Sequence, residues 1–125
     1  MDSILTSTKK LAGLTEKYDH FDPDIIIYIN FVFLTLKQLG VGPSGGFVIT
    51  DESATWESFI SDNEVLREST KAYMGAKVRL QFDPPTNSTL LEALKRSIEE
   101  YEWRLNFEAE SVSDNIGEGE NQNGK

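Results

Sequence analysis

Between Asp24 and Leu39 apolar residues recur at helical spacing, with Ile25, Ile29, Val32, Leu36 and Leu39 three and four apart. Ile26, Ile27, Phe31, Phe33 and Leu34 fill most of the remaining circumference, so this predicted helix is apolar nearly all round. Such a helix has to be covered on several sides. It is either the central post of a small helical domain or partly covered by another subunit, and that choice leads towards assembly rather than catalysis. Asp22-Pro23 opens the helix, with an oxygen acceptor at the N-cap and proline at the first helical position. Gly40 supplies its C-cap, and Gly42-Pro43 prevents continuation.

The other elements follow from the same patterning. Asp2 or Ser3 caps a first short helix running to about Leu14, with Ile4, Leu5, Thr8, Leu11 and Ala12 on one face. A linker, Glu16–Phe21, joins it to the long helix. After Gly45, GGFVITDES and ATWESFI alternate briefly around Asp51-Glu52-Ser53, which predicts a β-hairpin or an irregular loop with a strand. Ser61 and Glu64 form a capping-box signal for a third helix over about Asp62–Phe82. Its inner face reads Leu66, Ser69, Tyr73, Ala76 and Leu80, and the small residues Ala72, Gly75 and Ala76 admit a second helix at close range. Asp83-Pro84-Pro85 stops it.

The last helix starts near Ser88 or Thr89, where Thr89 and Glu92 again fit a capping box. It carries the stripe Leu91, Leu94, Ile98, Tyr101 and Leu105. Beyond Ala109 the chain reads ESVSDNIGEGENQNGK, polar, aperiodic and rich in Gly and Asn. The expected fold is mainly α: a four-helix domain over 1–109, with a short β-hairpin or long loop between the second and third helices. A disordered acidic tail follows over 110–125.

Composition narrows the functional classes. At 125 residues and 38% hydrophobic the chain suits one domain with one modest core. Without cysteine it has neither a disulfide framework nor a thiolate metal site. The N-terminus does not read as a secretory signal, because its charges follow a very short apolar stretch. The apolar run Ile25–Leu36, interrupted by Asn30, is shorter than the roughly 20 residues a bilayer span needs. A soluble protein without a membrane partner is therefore expected. The formal charge is −9, of which −4 lies between Glu108 and Lys125, and Lys and Arg form no cluster. Binding to nucleic-acid phosphates rests on such clusters, so it is not expected here.

Motifs with possible chemistry have plainer readings. Gly40–Gly45 matches GxGxxG in letters, but it closes a helix where the dinucleotide fingerprint opens one, and Pro43 removes an amide donor. His20, the single histidine, lacks further His or Cys ligands for a metal and reads as a solvated linker residue. Glu99, Glu100 and Glu102 lack the Glu-x-x-His motifs of a di-metal bundle and read as the solvated face of the last helix. Ser7-x-x-Lys10 stands without the companion motifs of a serine–lysine nucleophile. Asn87-Ser88-Thr89 matches a glycosylation acceptor that matters only on secretion. No catalytic set, cofactor site or metal site is expected.

The aromatic residues matter more. Trp56 and Phe59 fall in the loop region, while Trp103 and Phe107 lie four apart beside the main stripe of the last helix. Either pair packs against the body, or it anchors a partner as aromatic interface residues do. The candidate interface residues are Phe47, Trp56, Phe59, Trp103 and Phe107.

The runs DIIIYINFVFLTLKQLGVGP, KAYMGAKVRLQFDPP and EYEWRLN resemble the small head–tail connector (adaptor, or head-completion) proteins of tailed bacteriophages and prophages of Gram-positive hosts. The resemblance runs from about Ile4 to Ala109, and Lys77–Pro85 with the final helix is its most specific part. It implies a mostly helical domain, typically twelve copies of which form a ring beneath the portal and extend the DNA channel towards the tail. The implied partners are the portal protein, neighbouring connector subunits and the next tail-side connector protein, with DNA passing through unbound. The implied location is the host cytoplasm during assembly, then the virion head–tail junction. A C-terminal segment reaching into the portal would begin near Leu105-Asn106-Phe107. The third and last helices, with Gly46–Phe59, are the expected intersubunit surfaces. The alternative is a small acidic regulatory binder that mimics DNA by its charge.

Overall fold

Side-chain oxygens and glycines decide several of the helix ends. The computed structural model describes residues 2–14 and 20–123, with side chains described as far as Ser111. Helix α1 (Ile4–Leu11) starts at Ser3, whose hydroxyl accepts from the Thr6 amide at 3.2 Å. It stops three residues before Leu14, where Gly13 turns left-handed (φ +77°) and the amides of Gly13 and Leu14 donate back to Lys10 and Lys9. Helix α2 (Asp22–Gln38) ends in the same way. With Gly40 at φ +86°, its amide reaches the Lys37 carbonyl at 3.0 Å and the Val41 amide reaches Leu36 at 2.8 Å. At the start of α2, Asp22 lies inside the first turn and makes no cap bond; its carboxylate pairs with Lys9 of α1 at 2.8 Å. Of the linker expected over Glu16–Phe21, residues 16–19 lie outside the described residues.

No strand occurs among the described residues, and the hairpin expectation is corrected to its long-loop alternative. The reason is that the loop's backbone groups find partners elsewhere. The Asn30 amide side chain of α2 takes both polar groups of Ile49, accepting from its N–H at 2.8 Å and donating to its C=O at 2.9 Å. Further on, Ile4 donates to Ala54 at 2.9 Å and Trp56 donates to Asp2 at 3.0 Å, an isolated bridge to the N-terminus. The segment ends in a one-turn helix, α3 (Trp56–Phe59), closed by a Thr55/Ser58 capping box.

Two expected caps move. Helix α4 (Glu64–Phe82) is capped by Asn63, which accepts from the Leu66 amide at 3.0 Å, so the Ser61/Glu64 box gives way to it. Asn87 caps the start of α5 (Ser88–Asn123), accepting from Thr89 at 2.8 Å and Leu90 at 3.1 Å. Asparagine directly before the first turn reaches the free amides more directly than the downstream Thr89/Glu92 pair. The α5 backbone passes the expected tail boundary and is helical as far as Asn123; the tail's side chains beyond Ser111 lie outside the described residues.

The fold is mainly α, and α4 is its hub, touching α1, α2, α3 and α5. Gly75 explains the closest of these approaches, because a Cβ there would lie 2.7 Å from Leu11 Cβ of α1. Around α4 the core gathers Ile4, Ile25, Ile29, Leu36, Tyr73 and Val78. Tyr73, fully buried, donates from its phenol to Glu102 of α5 at 2.6 Å. That bond takes Glu102 out of the solvated face assigned to it from sequence, while Glu99 and Glu100 stay exposed.

Candidate functional site

The over-apolar helix α2 spends only part of its surface on the core. Ile25, Ile29, Val32, Phe33 and Leu36 are buried. Ile27 (69% exposed), Phe31 (59%) and Leu34 (51%) remain on its outer side, at steps of four and three. Tyr28 stacks on Phe31 with ring centroids 6.1 Å apart, and its half-burial raises the phenol's pKa by desolvation. Loop residue Val48, exposed, lines one hollow with Leu34 and Lys37. The loop lies there because Asn30 ties Ile49 down, a role the sequence signalled only as a polar interruption of the apolar run. The hub is α4, while α2 is left partly uncovered.

The five candidate interface residues separate into two groups. Trp56 is fully buried, Phe59 nearly so, and Phe47 half-buried. They cluster with Phe33 at centroid distances of 4.8–6.2 Å in edge-on and tilted pairs. Trp56 Nε1 donates to Ser7 Oγ at 2.7 Å, and Ser7 donates to the Ser3 carbonyl at 2.6 Å. Ser7 of the Ser-x-x-Lys motif is thus an anchor for the indole. Gly42 permits this cluster: at φ +91° a Cβ would fall 2.4 Å from the Phe59 ring. The GxGxxG letters therefore encode a helix stop and a ring contact.

The second group, Trp103 and Phe107, stands outside. Trp103 is 67% exposed and Phe107 54%, their rings stacked at 5.6 Å and 14°. Of the stripe on the opposite side of α5, Ile98 and Leu105 are buried and Leu91, Leu94 and Tyr101 half-buried. Residues 105–109 are fastened to the end of α2: Asn106 donates to the Leu39 carbonyl at 3.2 Å, and Ala109 Cβ lies 3.2 Å from the Cβ position of Gly40. Burying an exposed side chain of this size is worth roughly 1.5–3 kcal/mol before association costs.

Other candidates stay without chemistry. His20 is exposed and its ring sits 4.1 Å from that of Phe21. Glu100 pairs with Arg104 at 2.6 Å on the surface. Among the described residues no group of three or more acidic or histidine side chains is placed to hold a metal ion. No helix among them is long and apolar enough to cross a membrane.

One exposed apolar group thus lies on α2 and another on α5 of a small helical body. The family model described as phage connector protein matches residues 4–112, nearly the whole chain, and the chain belongs to that family. No curated protein and no solved structure matches it. A phage connector is a structural component that works in contact with other head and tail proteins.

Proposed function

We propose that the protein is a head–tail connector of the adaptor or head-completion type, docking as a ring under the portal and extending the DNA channel towards the tail. The observation that carries this reading is the unpartnered apolar surface of Ile27, Phe31 and Leu34 together with Trp103 and Phe107, on a chain of the connector family. Its neighbours are further copies in a twelve-fold ring, the portal above and the next tail-side connector below. Assembly takes place in the host cytoplasm and the finished ring sits at the head–tail junction of the virion.

The body extends to residue 109, held there by the Asn106 and Ala109 contacts, and the acidic segment 110–125 is the part that reaches into the portal. That start is later than the resemblance implies, because Leu105 is buried in the body. Net negative charge suits a lumen through which DNA slides unbound, since like charge repels the phosphate backbone. Of the candidate interface residues, Trp103 and Phe107 act directly, with Phe47 at a rim and Trp56 and Phe59 as support.

Electron microscopy of the protein mixed with the portal protein of the same phage tests this reading. A ring of density on the portal's tail side is expected. A bare portal at saturating protein sinks it.

A further inference from the structure

Phe47-Val48-Ile49-Thr50 has the sequence of a strand and, among the described residues, no strand beside it. All four residue types favour extended backbone. Their burial alternates as on a pleated surface: Phe47 half-buried, Val48 69% exposed, Ile49 buried, Thr50 exposed. The hydrogen bonds agree. Asn30 accepts from the Ile49 N–H and donates to the Ile49 C=O, the pair of bonds that a neighbouring strand would make. One side-chain amide reaches both groups because in extended chain they point the same way. Gly46, at φ +88°, bounds the segment on one side. Asp51 bounds it on the other, where its carboxylate accepts from the Ser53 N–H at 2.8 Å.

Extended backbone sends the polar groups of successive residues to opposite edges, so those of Val48 and Thr50 point away from Asn30. Neither their N–H nor their C=O groups have a hydrogen-bond partner among the described residues. Both residues are exposed. Natural proteins guard a free edge with charged side chains or proline, and Phe47–Thr50 contains neither. A local preference that the fold leaves unmet marks a functional position.

We infer that Val48 and Thr50 form a docking edge for an extended segment of a different protein, which adds as a strand on the side away from Asn30. Its backbone would pair with the N–H and C=O of both residues, and the exposed Val48 side chain offers it an apolar neighbour. The edge selects a strand, because only extended chain presents donors and acceptors at that repeat. A second copy has none to give: its described residues form no strand, and their one β-bridge, Ser3 with Thr55, is closed within the chain. Pairing of this segment with itself would close a two-fold dimer, through which a head-to-tail ring cannot be built. The inference rests on the connector reading in taking the strand to come from the portal or from the next tail-side connector.

Amide hydrogen exchange tests it residue by residue. In the free protein the Ile49 amide should exchange more slowly than those of Val48 and Thr50, on the order of ten-fold. Equal protection of all three would show the edge already filled and overturn the inference; so would dimers of the free protein that protect Val48 and Thr50. Exchange is then run in complexes with the portal protein and, separately, with the next tail-side connector of the same phage. Protection of Val48 and Thr50 in one of the two is expected. Thr50→Pro removes an edge donor and holds Ile49 in the extended backbone it already has, and Val48→Pro does the same one step earlier. Both should fold, and both should weaken the protected complex on the order of ten-fold. Parent-like binding by both variants overturns the docking edge. A ring on the portal and a bound tail-side protein, with the edge amides unprotected in each, remove this inference alone. Protection by the tail-side protein beside a bare portal removes the portal-docking reading alone, and binding of neither protein removes both.

Discussion

The molecule has two tryptophan regions, and they are used in opposite ways. Trp56 and Phe59 sit on a one-turn helix in a long loop, yet they are the buried centre of an aromatic cluster with Phe33 and Phe47. Trp103 and Phe107 sit on the longest regular helix, yet they are left in solvent. Irregular backbone does not imply exposed side chains, nor does regular helix imply burial. What separates the two regions is whether a polar partner and an apolar wall are both present. Trp56 has Ser7 for its indole N–H and Phe33 for its face. Among the described residues Trp103 has Phe107 as its one ring partner, and that neighbour is itself exposed.

Four substitutions test that contrast, beginning with the largest effect. Trp56→Ala should cost about 3–5 kcal/mol in denaturant unfolding, because it empties a fully buried site and removes the indole donor to the Ser7 hydroxyl. A loss below 1 kcal/mol would mean that the loop cluster is not part of the core.

Gly42→Ala should cost about 1–3 kcal/mol, since the new methyl must displace the Phe59 ring and the backbone is left-handed there. The double change Gly42→Ala with Phe59→Leu should recover part of that loss, if the ring is what the methyl meets.

Tyr73→Phe should cost about 1 kcal/mol, removing the bond that fixes α5 on α4 while keeping the ring. It also sharpens a pH prediction. Burial, then the hydrogen bond to Glu102, pushes the Tyr73 phenol well above its ordinary value near 10. The unfolded chain therefore releases that proton first. The native state keeps this contribution below pH 10 and loses it progressively as pH rises from there. Unfolding midpoints measured between pH 8 and 11 should fall less steeply for Tyr73→Phe than for the parent chain.

Trp103→Ala should shift stability by less than about 0.5 kcal/mol, as exposed substitutions do. Assembly on the portal should be lost all the same. A stable fold with unchanged assembly would leave the exposed pair without a role; a collapsed fold would make it core.

The sequence by itself determined the long helices, because their stops are written in local chemistry. Gly40 ends α2 in a left-handed turn and the Asp83-Pro84-Pro85 stop separates α4 from α5, whereas the end of α1 at Gly13, short of the expected Leu14, and the one-turn α3 were not read there. The buried stripe of α5 and the close approach at Gly75 were equally legible, being questions of periodicity and size. Exact caps were less so, since Ser61, Asn63, Asn87 and Thr89 all offer an oxygen, and only geometry chooses among them.

Tertiary structure alone decided which apolar surface stays outside. On paper α2 is apolar all round, and nothing local says that Ile27, Phe31 and Leu34 face away while Ile25 and Ile29 face α4. Nor could local patterning say that Asn30 would replace a strand's bonds to Ile49 and so turn a hairpin into a tethered loop. The same holds for the two tryptophans. Which one is enclosed depends on residues far along the chain, such as Ser7 and Phe33, and contacts at that separation leave no periodic trace in the sequence.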